Sequence, residues 1–135
     1  MKDVETLYEE RNKLTTKLRK LDDEINEYKV KDILNKFQVG KFYEVQFTTC
    51  GRFYYFCDSE LKLDRNELCL YNVLGINTTM MFYERTLSNK AIFTVDQIVD
   101  WSVEEISKED YFDEFNELCC NIKRYLDKIE GCSEQ

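Results

Sequence analysis

With no histidine anywhere in 135 residues, any chemistry this chain performs falls to its carboxylates, tyrosines and cysteines. A histidine general base, the Ser/His/Asp and Cys/His arrangements and the His-containing zinc sites are therefore excluded. Asp58, Glu60, Asp64 and Glu67 share one polar stretch. Their order does not match a calcium loop, which needs D-x-[DN]-x-[DN]-G and a distal Glu, so they read as solvated loop acids. Cys50 beside Gly51 could present a thiol at a hairpin tip, yet no histidine can activate it, and packing or simple exposure is the plainer reading. The four glycines, Gly40, Gly51, Gly75 and Gly131, are isolated, so no loop can cradle phosphate through successive backbone amides. The residue types point to binding over turnover, with no catalytic residue, metal or cofactor expected.

Charge indicates what would be bound. The chain holds 19 basic and 27 acidic residues, a net charge of −8. Phosphate neutralisation needs Lys and Arg, so direct nucleic-acid binding is disfavoured. Residues 1–40 carry nine basic and nine acidic groups, residues 41–103 six and eight, and residues 104–135 four and ten. Most of the excess is thus C-terminal. Glu104, Glu105, Glu109, Asp110, Asp113, Glu114 and Glu117 face only Lys108 in that stretch. On a helix, positions 110, 113, 114 and 117 share one side, and such an array attracts a basic surface. Glu109, Asp110, Asp113, Glu114 and Glu117 form a candidate partner-binding face, weighed against the plainer reading of a solvated, solubilising helix surface.

Three segments must position these residues. Over 1–38, apolar residues at Val4, Leu7, Leu14, Leu18, Leu21, Ile25 and Tyr28 step by three and four around the polar Arg11, a heptad seam on one long helix. A stripe this narrow must be buried on another helix, of this chain or of a second copy, and the plainer reading is that it packs on its own domain. Leu7, Arg11, Leu14, Leu18, Leu21, Ile25 and Tyr28 are the candidate oligomerisation residues, with a homodimer expected. A parallel pair would set Lys17 against Asp22 of the second copy and Glu24 against Lys29, whereas an antiparallel pair would match Glu10 to Lys31 and Lys17 to Glu24.

Over 39–103 the period changes to two. Tyr43, Val45 and Phe47 alternate with Glu44, Gln46 and Thr48, and Gly51 offers a turn before Phe53-Tyr54-Tyr55-Phe56-Cys57. Further strands are expected at 68–73, 79–83, 91–95 and 98–103, with turns at Gly75-Ile76-Asn77 and Ser88-Asn89-Lys90. Five or six short strands with tight turns indicate a small antiparallel sheet or an SH3- or OB-like barrel. Over 104–135 the pattern is helical again. Ser107 can cap it, Asp110 holds the third helical position, and Ile106 can staple against Tyr111. The whole is an α+β chain: heptad helix, β unit, acidic amphipathic helix.

Seven aromatics crowd residues 42–56, and Phe53, Tyr54 and Tyr55 are candidates for an exposed partner-binding patch. A base-stacking platform would normally come with a positive groove, and only Lys41 and Arg52 accompany them, which favours core packing or a protein-facing surface. A pocket for a nucleotide among these rings stays open as an alternative. The first twenty residues are charged throughout and no apolar run reaches membrane-spanning length, so a cytoplasmic protein without membrane attachment is expected. Six cysteines without a CxxC pair or a repeated spacing then read as reduced.

A heptad helix leading into VGKFYEVQF, a short β unit, and EEISKEDYFDEFNELC opening a C-terminal helix resemble the small accessory proteins of phages and prophages of low-GC bacteria. Compact, acidic, histidine-free chains of this kind are similar to anti-CRISPR and other anti-defence inhibitors. The resemblance is one of layout and assigns no residue roles. It implies a non-catalytic inhibitor that occupies a basic, nucleic-acid-binding host protein such as a CRISPR effector, in the host cytoplasm. The alternatives from other classes are a coiled-coil structural adaptor and a protein that sequesters a nucleotide signal.

Overall fold

The computed structural model describes residues 3–78 and 83–133, with backbone only at 132 and 133. Its elements run α1 (Val4–Leu34), β1 (Phe42–Gln46), β2 (Gly51–Phe56), β3 (Glu67–Thr78), β4 (Tyr83–Thr94), α2 (Val95–Ile98), β5 (Ser102–Ile106) and α3 (Lys108–Ser133). The strands form one antiparallel sheet in the order β4-β3-β2-β1-β5. The α+β architecture with a five-stranded antiparallel sheet is thus the observed one. The sheet is open, with β4 and β5 at its edges, and is not the closed barrel that was the other expectation.

The openness follows from β2. Its residues are apolar on both sides, so each face of the sheet needs a cover, and closing the sheet would cover only one. On one face Tyr43, Val45, Phe53, Tyr55, Leu68 and Leu70 pack with Val30 and Ile33 of α1, Ile98 of α2 and Trp101. On the other, Tyr54, Leu74 and Ile76 pack with Tyr111 of α3, joined by Phe42, Ile106, Phe115 and Leu118. The two long helices therefore cover opposite faces.

Both expected turns in the second half of the sheet are absent. Gly75-Ile76-Asn77 lies within β3 and Ser88-Asn89-Lys90 within β4, because the two strands form one long ladder from Glu67↔Thr94 to Thr78↔Tyr83. The register is the same on both sides of Asn72, and a local break in strand conformation there is all that interrupts the ladder. Asn72 has φ of 58°, a left-handed conformation that Asn tolerates better than most residues. Side-chain alternation skips there: Leu70 and Val73, three apart, belong to the same core cluster, while Leu74 and Ile76 serve the other. One strand thereby supplies both cores. The expected strand at 79–83 falls mostly on residues 79–82, outside the described residues.

The expected strand at 98–103 is also corrected. A single helical turn, α2, precedes Trp101, and the last strand starts at Ser102. Thr94-Val95-Asp96-Gln97 has the spacing of a capping box, and the Gln97 side-chain oxygen accepts a hydrogen bond from the Thr94 N–H at 2.9 Å. Glu104 and Glu105 consequently sit in β5, paired with β1, so the sheet reaches to Ile106 and past the expected boundary at 103/104. The start of α3 is as expected, with the Asp110 N–H donating to the Ser107 hydroxyl at 3.1 Å. At the start of α1, Asp3 accepts from the Thr6 N–H at 2.8 Å, which holds its carboxyl below the ordinary range.

Candidate functional site

The first turns of α3 lie on the sheet and aim carboxylates outward beside it. Tyr111 is the anchor: it is buried, and its ring lies 4.8 Å from those of both Phe42 and Phe115. Glu109, Asp110, Asp113 and Glu117 are exposed. Glu114 differs. Arg85 of β4 donates to its Oε2 from both Nε and Nη2 at 3.2 Å, with side chains only 13 % and 23 % exposed. Glu114 is therefore corrected from a member of the free acidic face to a strut between helix and sheet. Of the two β5 acids, Glu105 pairs with Lys41 at 3.1 Å.

Glu44, Tyr54, Ile106, Asp110, Asp113 and Glu114 line a shallow hollow of about 260 Å³ between helix and sheet. Four carboxylates from two elements, β1 and α3, border it. Burial, reinforced by the Glu44 carboxylate, pushes the Tyr54 hydroxyl up to about 12, so it stays a neutral donor beside these acids at ordinary pH. Arg52 approaches Glu44 at 3.8 Å and partly offsets the local negative charge. Sequence reasoning missed Glu44 and Arg85. Only the β1 alternation, which puts Glu44 on the same face as Phe42, pointed toward the first.

Phe53, Tyr54 and Tyr55 do not form a partner-facing patch: they are 1 %, 6 % and 3 % exposed. Alternation sends Phe53 and Tyr55 to one core and Tyr54 to the other, so three successive rings are all interior. This correction also removes them as a stacking surface.

The heptad residues of α1 are at the surface. Leu7, Leu14, Leu18, Leu21, Ile25 and Tyr28 are 52 %, 66 %, 60 %, 55 %, 49 % and 71 % exposed. Arg11 is exposed as well, its guanidinium 4.9 Å from the Tyr8 ring. Only the C-terminal end of α1 reaches the core, through the buried Val30 and Ile33 and the partly buried Leu34. Residues 4–22 thus form an arm about 28 Å long at 1.5 Å per residue, while Asp23, Asn26 and Glu27 line a hollow together with Arg65, Thr94 and Asp96. Toward the far end of α3, Ile122, Tyr125 and Leu126 are likewise exposed.

Among the described residues, no three His, Cys, Asp or Glu side chains are grouped to hold a metal ion. Cys50, Cys57, Cys69, Cys119 and Cys120 are free thiols. Cys57 is buried, donates to the Ser59 carbonyl at 3.2 Å, and is pushed up by burial, so it is a packing residue and a poor nucleophile. The side chain of Cys132 lies outside the described residues. No helix among the described residues is long and apolar enough to cross a membrane. Comparison with protein-family models and with curated proteins yields no match to this chain.

Proposed function

We propose that this chain is a non-catalytic binding protein that inhibits a basic, nucleic-acid-binding partner by occupying its positive surface. Anti-defence inhibitors of phage origin, directed at an effector such as a CRISPR nuclease in the host cytoplasm, are the class this reading favours. The observation that carries it is the exposed set Glu109, Asp110, Asp113 and Glu117, held on a helix that Tyr111 fixes to the sheet. A rigid array of carboxylates presents charge where a nucleic acid would present phosphate, and does so without the entropic cost of ordering a loop. The test uses the intact chain as bait in a host lysate beside a variant carrying Glu109→Lys, Asp113→Lys and Glu117→Lys. Basic proteins retained by the first, displaced by excess double-stranded DNA and absent from the second are expected. Identical retention by both baits overturns the reading.

A second reading, a coiled-coil adaptor that works by joining copies through α1, is favoured by the exposure of its heptad stripe. The two are compatible, since a dimer would present two acidic faces.

A further inference from the structure

On the sheet face opposite α3, a cleft of about 440 Å³ opens between Phe47, Phe93 and Trp101, with Asp96 and Asp100 at its rim. Its volume lies within the roughly 300–1,000 Å³ range of small-ligand clefts. We infer that this cleft is a binding site for a cationic side chain, an arginine guanidinium presented by a basic protein segment. The walls are aromatic rings: Phe93 and Trp101 meet edge-on at 4.9 Å, and buried Phe53 lies 6.1, 5.4 and 5.2 Å from Phe47, Phe93 and Trp101, holding them in place. Phe47 is fixed by the hairpin. A Cβ on Gly51 would stand 2.6 Å from the Phe47 ring, so the missing side chain is what lets that ring lie across the turn.

A purely apolar ligand would leave the rim carboxylates without a role. Asp96 and Asp100 are exposed and have no ion-pair partner among the described residues, although Arg65 shares a neighbouring hollow with Asp96. A planar cation satisfies both parts of the cleft, stacking on rings while the carboxylates accept its N–H groups. Trp101 is 5 % exposed, and its indole N–H is buried without an acceptor. Trp101 is therefore the floor of the cleft, and the more exposed Phe47 and Phe93 offer the ring surface on which a guanidinium can stack between the two carboxylates. The inference goes beyond the proposed function and uses none of the α3 carboxylates, so either can fail alone.

Trp101 is the chain's single tryptophan, so its emission reports on the cleft directly. Titration of the full chain with acetylated, amidated tri-arginine is expected to give a saturable change in that emission. Tri-citrulline, which keeps the planar head group without the charge, should bind about tenfold more weakly. Asp96→Asn with Asp100→Asn should weaken tri-arginine binding by about the same factor. The proposal is overturned by absence of a saturable signal, by equal binding of tri-citrulline, or by full binding in a folded Asp96/Asp100 variant. The citrulline comparison requires no variant to fold.

Discussion

At the scale of single residues, the structure separates carboxylates that look equivalent in sequence. Asp110, Asp113, Glu114 and Glu117 share one helix side, yet Glu114 alone is joined to Arg85. A partner 29 positions away on an edge strand leaves no local trace, so helical periodicity could not single it out. Arg85→Ala would leave a largely buried carboxylate unpaired and is expected to cost about 1–3 kcal/mol in chemical denaturation. Arg85→Ala with Glu114→Gln should cost less than the sum of the single changes, because the stranded charge is gone. Tyr54 supplies a pH prediction. Its hydroxyl titrates near 12 when folded and near 10 when unfolded, so between those values the native state holds the extra proton. Stability from this group is complete below about pH 10 and falls as the pH rises toward 12. An unfolding free energy that stayed flat over that window, or a Tyr54→Phe variant that declined just as steeply, would contradict the assignment. Phe53, Tyr54 and Tyr55 were ambiguous in sequence because an aromatic run looks the same whether it faces two cores or a partner. Only the helix on each sheet face decides between these.

At the scale of elements, what was legible had a strong local signal. The heptad of α1, the alternation of β1 and the Ser107 cap of α3 each carry their own period or hydrogen-bond acceptor. The errors lay where tertiary pairing overrode local chemistry. Gly75 and Ser88-Asn89-Lys90 read as turns, but a continuous ladder kept both segments extended and confined the irregularity to Asn72. The α2 turn was legible after all in the T-x-x-Q spacing of residues 94–97, which an apolar run at 98–103 obscured. The seam of α1 leads to the clearest prediction at this scale. Since Leu14 and Leu21 are exposed and remote from both cores, Leu14→Asp with Leu21→Asp should leave the far-ultraviolet spectrum of the sheet and α3 intact. The same variant should convert a dimer into a monomer in sedimentation velocity at micromolar concentration. A wild-type chain that is itself monomeric there would remove self-association through α1.

At the scale of the whole molecule, charge and apolar surface are segregated by element. Two of the sheet's acids are paired, Glu44 with Arg52 and Glu105 with Lys41, while Glu109, Asp110, Asp113 and Glu117 at the base of α3 have no ion-pair partner among the described residues. Uncovered apolar stripes then lie on the two projecting helix ends, away from those acids. Such a division suits a protein that joins copies by its arms and meets a basic surface with its carboxylates. The net charge of −8 thus resolves into a particular face, and the fold explains why that face is rigid. The most direct test is the dissociation constant between the intact chain and its purified captured partner, measured across salt concentration and with the Glu109→Lys, Asp113→Lys, Glu117→Lys variant. Affinity is expected to fall at least about tenfold between roughly 0.05 and 0.5 M salt, and by about a hundredfold in the variant at low salt. A constant within about twofold across that salt range, together with unimpaired binding by the variant, would contradict the carboxylate face as the means of recognition.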